Sequence, residues 1–206
     1  MDQQVALRMI AEKAYDVGYA AKLHFSTFDI VEKAPGWIGM VSLITGVLSL
    51  YIDVLAAKNV SALITVVGIC SLYITLYSET KGQYYQAGSA LTALFDRLKV
   101  LHAQCKAATG FTPAHQQEYD LITEAFRSAC LNKHILFSGW LAHKKFFWEQ
   151  QIDWITESRR FSLWRDKVPF SFYVFILAVL AAMGAVSYIG SHPEIVNALQ
   201  RICTHE

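Results

Sequence analysis

Charge is what this chain lacks, and the shortage is local. From Gly36 to Ala57 the only charged residue is Asp53; from Asn59 to Ser78, and again from Val168 to Pro193, there is none. Ordinary soluble domains carry charge at about every fourth residue, so windows of this kind exclude a simple water-facing surface. Each window reaches the roughly 20 residues that cross about 30 Å of hydrocarbon at about 1.5 Å per helical residue.

Other absences narrow the function. The four cysteines, Cys70, Cys105, Cys130 and Cys203, are dispersed, which argues against a disulfide framework. The first 35 residues are of mixed charge without a short apolar core, so no cleaved signal is expected. A net charge of +1 without a basic patch in a polar domain gives no reason to expect direct nucleic-acid binding. No Walker loop, GxSxG, HExxH or paired CxxC is present, and "TGFTPAHQQE" has neither the glycines nor the lysine of a phosphate cradle. The chain is therefore expected not to be an enzyme and to need no cofactor. His102 with Cys105, and Cys130 with His134, have zinc-ligand spacing on one helical face each. If their helices pair about a turn near Gly110, Cys130 lies about 15 Å beyond the first pair, so no metal site is expected.

What is present is an all-α membrane protein by pattern. The ten Leu, Ile and Val residues of Gly36–Ala57 contribute about −4 to −5 kcal/mol to insertion, against about +2.5 to +3.5 for an aspartate at mid-bilayer. The span tolerates Asp53. Three membrane spans are expected, and the balance of Lys and Arg places the N-terminus and residues 79–167 in the cytosol, with the C-terminus outside.

The predicted organisation is an amphipathic helix over 1–34, a transmembrane hairpin over 35–78, a cytosolic helical region over 79–167, a third span over 168–192 and a tail over 193–206. Leu7, Ile10, Ala14, Val17, Ala21, His24 and Phe28 mark the apolar stripe of the first helix, which "KAPGW" is expected to break. His24 on that stripe reads as a hydrogen-bonded interface histidine. The two spans of the hairpin are expected to be joined by "AAKN" alone. Tyr84, Ala87, Leu91, Leu94, Leu98, Leu101 and Cys105 follow coiled-coil spacing, predicting an oligomerisation seam on a second membrane helix prolonged by about 40 Å. A further helix should begin at Pro113 with Thr112 as its cap and a stripe through Tyr119, Ile122, Phe126 and Ala129. The chain must then break, with Ser138-Gly139 the best point. The aromatic and basic stretch beyond it reads as either a helix on the inner leaflet or a packed subunit interface. Trp154, Arg159, Arg160, Trp164, Arg165 and Lys167 are its candidate anchors.

Within the hairpin, Gly39, Ser42, Gly46, Ser49 and Asp53 recur every three or four residues, with a looser counterpart in Ser61, Thr65, Gly68, Ser71 and Thr75. Such a stripe serves close helix packing or, in a homo-oligomer, lines a water-filled path with a ring of Asp53 carboxylates at its mouth.

The amphipathic first helix, the hairpin "GWIGMVSLITGVLSLYIDVLAAKNVSALITVVGICSLYITLY" and the extension beginning "SETKGQYYQAGSALTALFDRL" resemble the SLATT family over roughly residues 1–165. These are bacterial two-transmembrane proteins found with nucleotide-signalling and reverse-transcriptase defence systems, and a third span departs from that form. The resemblance implies a membrane effector of an anti-phage, abortive-infection system. It would be triggered through a sensor protein, a nucleotide signal or a reverse-transcriptase partner to form or gate an ion-conducting pore. A non-conducting scaffold and a small membrane enzyme or transporter are the competing readings.

Overall fold

The computed structural model describes residues 2–108, 110–150, 152–158 and 168–191, and every regular element among them is helical. The chain divides into two compact units, residues 1–161 and 162–206.

The first unit is organised by α1 (Gln3–Leu48), whose 46 residues would extend about 69 Å. Pro35 lies inside it, so the expected break at "KAPGW" does not occur. Proline removes one backbone donor and crowds the preceding turn. Tertiary packing on either side holds the helix through that defect: Val31 is buried with Ile74 and Ile135, and Ala34 and Ile38 pack on the same cluster.

Helix α1 ends where hydrogen bonds shorten. Leu50, Tyr51, Leu55, Ala56 and Ala57 each donate to the carbonyl three residues back, and the Ser49 hydroxyl donates to Gly46 O at 2.7 Å. The hairpin connection is therefore Ser49–Ala57, not "AAKN" alone. Asp53 sits exposed within it.

After α2 (Lys58–Thr75) the chain does not run on as a single helix into α3 (Lys81–Ala107). The hydroxyls of Thr75, Ser78 and Thr80 donate to Leu72 O, Thr75 O and Tyr77 O, and this competition with the helical ladder tightens 76–80 into turns.

Helix α3 lies antiparallel along the first part of α1. Gln3 Nε2 donates to Cys105 O and Ala108 O at 2.7 Å, and Lys81 pairs with Glu32 at the other end at 2.6 Å. Between these pins Ala6, Ile10, Ala14, Val17 and Ala21 face Leu91, Leu94, Phe95, Leu98, Leu101 and Cys105 in one buried cluster. Small residues on α1 let the leucines of α3 approach; burying each leucine contributes roughly 1.5–3 kcal/mol.

Helix α4 (Pro113–Ala129) begins as its sequence dictates. The Thr112 hydroxyl accepts from His115 N–H, while Thr112 N–H donates to His115 Nδ1, both at 3.3 Å. Ile122 is buried, and Tyr119, Phe126 and Ala129 pack against the core. Thr112→Ala is expected to cost about 1 kcal/mol, read as a lowered denaturation midpoint of the purified protein; an unchanged midpoint would remove the cap from the account.

The break after α4 spans 130–137, and Ser138-Gly139 instead open α5 (Ser138–Lys144). A π-helical turn over 145–149 and α6 (Asp153–Ser158) follow, folding over α1 to bury Phe146, Ile152 and Ile155. The second unit contains α7 (Phe170–Ser191), which exposes Phe170, Val174, Leu177 and Leu180.

Candidate functional site

Two regions separate by what covers them. Within the first unit, residues 3–34, 81–107, 113–150 and 152–158 form a packed body, while the end of α1 and all of α2 form a stem from which the other described residues of that unit withdraw. Trp37, Leu43, Ile44 and Val47 on α1, and Leu63, Val66, Ile69 and Leu72 on α2, are exposed; Leu43 is 69% exposed and Leu63 64%. Single exposed leucines are ordinary, but a continuous sheath of them requires an apolar environment. Among the described residues α2 is the one helix long and apolar enough to cross a membrane, and Ile74 at its end is its one buried residue. In α7 the apolar stretch is shorter, Phe170–Ala181.

Within the stem α1 and α2 are in contact, and the residues at least partly covered are Ile38, Ser42, Thr45 and Ser49 on α1 or at its end and Val60, Ile64, Ser71 and Ile74 on α2. The predicted stripe therefore divides. Ser42, Ser49 and Ser71 lie on the partly covered side, whereas Gly39, Gly46, Ser61, Thr65, Gly68 and Thr75 are exposed. A Cβ on Gly39, Gly46 or Gly68 would meet nothing within 4 Å. These glycines do not bring the two helices of one chain together. Asp53 leaves the stripe altogether, because the helix has ended before it. The hydroxyls of Thr45, Thr65 and Thr75 donate to carbonyls of their own helices at 2.7–2.9 Å, so they carry no bare donor into an apolar environment.

The base of the stem is marked by rings and charges. Trp37 is exposed on α1, and Tyr73 near the end of α2 meets Tyr77 of the following turn edgewise at 5.7 Å, the residue types favoured at a membrane surface. One turn below Trp37, Lys33 pairs with Asp29 at 2.6 Å, and Lys145 pairs with the same carboxylate. Burial pushes the Asp29 carboxyl up, but hydrogen bonds from Lys145 and Lys33 outweigh it and hold it below its ordinary value.

In the body the expected oligomerisation seam is turned inward. Tyr84, Leu91, Leu94, Leu98 and Leu101 are buried, and Ala87 is half-buried. Heptad spacing marks a helix that packs on another, and here that partner is α1 of the same chain. Trp154, expected at the inner leaflet, packs instead between Phe95 (5.5 Å) and His102 (5.2 Å). Arg159, Arg160, Trp164, Arg165 and Lys167 lie outside the described residues.

Buried histidines join distant segments. His24 Nδ1–H donates to Ala20 O at 2.7 Å, and its Nε2 accepts the Leu131 N–H at 3.0 Å, which fixes a neutral tautomer. His134 meets it edge to face at 4.7 Å, with its Nδ1 3.1 Å from Thr27 Oγ1. His102 Nε2 lies 3.2 Å from Ser158 Oγ, so His102 and His134 belong to separate clusters. Among the described residues no group of three His, Cys, Asp or Glu could hold a metal. The His24–His134 contact is 110 positions long, and no local spacing announced it.

Residues 1–176, nearly the whole of this architecture, match the family model of the SMODS and SLOG-associating 2TM effector domain 6. The chain belongs to the SLATT family. Neither a curated protein nor a solved structure matches it. Membership identifies a two-transmembrane effector, and α2 of the stem is the described helix long and apolar enough to be one such span. The family match ends within α7, so the third hydrophobic segment lies largely beyond it.

Proposed function

We propose that this SLATT protein is the membrane effector of a bacterial anti-phage system, assembling in the inner membrane as a homo-oligomer that forms or gates an ion-conducting path and depolarises the host. The observation that carries the reading is the uncovered stem. Gly39, Gly46 and Gly68 and the exposed hydroxyl residues Ser61, Thr65 and Thr75 are not consumed by packing between its two helices, and a two-helix stem cannot enclose a pore alone. Subunits would meet through the stem, since α1 of the same chain already covers the leucine seam of α3. The Asp53 carboxylates would ring the mouth from the connecting turn. Activation would come from a sensor, a nucleotide signal or a reverse-transcriptase partner of the same operon. The N-terminus and the helical body would face the cytosol, and α7 would supply a third span.

Conductance of the purified protein in planar bilayers tests this. Gly46→Leu is expected to reduce the current by an order of magnitude or more, as about four added carbons close the stripe. Asp53→Asn should shift ion preference with a smaller loss of current. Wild-type current that survives Gly46→Leu unchanged would remove the stripe from the pore. Silence of the wild type with its operon partners present would favour the non-conducting scaffold. A transporter or membrane enzyme is the weaker alternative, because the apolar parts of both stem helices lack a charged residue at mid-height.

A further inference from the structure

The loop between α4 and α5 carries an apolar tip that nothing in the body requires. Leu136 is 64% exposed and Phe137 52%, while their neighbour Ile135 is buried against Val31 of α1 and Ile74 of α2. Phe137 has φ of 66°, a left-handed conformation that is unfavourable for a bulky residue. It is held there by Ser138, whose N–H and hydroxyl both donate to Ile135 O. The strained turn carries Leu136 and Phe137 out of the body, with Phe137 against Trp140 at 5.1 Å.

Position decides what covers this tip. Ile135 anchors it at the height of Val31 and Ile74, one to two helical turns from Trp37 and beside Tyr73 and Tyr77, where the bare stem meets the body. Between the tip and the stem runs an apolar groove of about 210 Å³, lined by Ile30, Cys70, Tyr73 and Ile74 together with the tip itself. Its lining has almost no polar surface, and it is continuous with the exposed face of α2.

We propose that the Leu136–Phe137 tip is a membrane anchor of its own, inserted at the headgroup boundary beside the stem, with a lipid acyl chain occupying the groove. The inference rests on the reading that the stem lies in a bilayer. The same lipid that surrounds Leu72 and Ile69 then reaches the groove without crossing a polar barrier. Rings at that depth are favoured, and the Lys33, Lys81 and Lys145 ion pairs remain at the water side of it. The device ties the α4–α5 loop, and through Leu131 the buried His24, to the membrane surface.

Photo-crosslinking of the full-length protein in phosphatidylethanolamine and phosphatidylglycerol vesicles tests the anchor, with benzoylphenylalanine replacing Phe137, Leu43 or Val100 in turn. All three side chains are exposed, so the fold is not at stake, and Val100 lies far down the body on α3. Lipid adducts, read by mass, are expected at positions 43 and 137, several-fold above position 100. Adducts at 43 without adducts at 137, or crosslinks from 137 to a second copy of the chain, would overturn the anchor while leaving the stem in lipid. No adduct at either position would overturn both readings, and equal labelling at all three would overturn the anchor.

Discussion

Gly18→Leu is expected to destabilise the helical body by about 3 kcal/mol or more, at the upper end of what overpacking costs. Gly18 lies in the middle of α1, where glycine ordinarily weakens a helix by about 1 kcal/mol relative to alanine. The reason for glycine here is steric. Even a Cβ would lie 2.7 Å from a ring carbon of Phe146 and 2.8 Å from ring carbons of Phe95. Both rings are enclosed, Phe146 at 0% exposure and Phe95 at 3%, so neither can swing aside. Phe146 is further held edge-on by Tyr15 at 5.4 Å and Phe147 at 5.2 Å.

The claim is tested by denaturant unfolding in detergent, followed by tryptophan fluorescence. Gly18→Ala should lose less than Gly18→Leu, because regained helix propensity offsets part of the clash. Phe146→Ala alone should cost about 3–5 kcal/mol by leaving a cavity. The double variant Gly18→Leu with Phe146→Ala should cost less than the two single changes added together, since the leucine then enters that cavity. Strict additivity would mean that the two positions do not share the space described.

Acidification from pH 7.5 to 5 is the second large perturbation, and it should weaken the body. Burial lowers the pKa of His24, His102, His134 and His143 alike. His134 is pushed down to about 4, first by burial and then by the adjacent His24. A histidine whose folded pKa lies below its ordinary value of about 6.5 takes up its proton more readily when unfolded. Its contribution is therefore complete above about pH 6.5 and is lost as pH falls toward the folded value. At about 1.4 kcal/mol per pH unit the full shift of His134 would amount to about 3 kcal/mol, which solvent reaching the half-buried ring reduces to about 1–2 kcal/mol.

The geometry adds a local consequence. A proton on His24 Nε2 would remove the acceptor of the Leu131 N–H, beside His134 and the Tyr84 ring of α3, with the neighbouring Tyr84 hydroxyl donating to Lys133 O at 2.6 Å. No carboxylate touches the pair to compensate among the contacts of the described residues. The 130–137 loop should then loosen before α1 and α3 separate. Unfolding midpoints at pH 7.5 and 5, for wild type and His134→Gln, measure this. The wild type should lose stability and the variant should lose less; a midpoint independent of pH would sink the account.

Much of the local structure was legible in the sequence because neighbouring residues decide it. Thr112, Pro113 and His115 contain their own cap, and the 3.6-residue recurrence of Ile10, Ala14, Val17, Ala21 and His24 already defines the buried face of α1. The lack of charge from Asn59 to Ser78 identified a membrane-competent helix without reference to anything it touches. Other expectations failed where competing interactions were closely matched. Pro35 disfavours a continuous helix, but packing of Val31, Ala34 and Ile38 overrides it; Ser49, Thr75, Ser78 and Thr80 carry no marked breaking tendency, yet their hydroxyls help turn the chain.

The sequence by itself determined that this is an all-helical chain with a membrane-seeking stem, because hydrophobicity and helical periodicity are properties of each segment alone. Only the tertiary structure decided which surfaces remain free. The same leucine seam could bind a neighbouring copy or fold onto α1, and pattern does not distinguish partners of equal apolarity. Chain connectivity does: α1 is tethered to α3 and pinned to it at Gln3 and Glu32, so the seam closes within one molecule. The stem and the Leu136–Phe137 tip are left exposed.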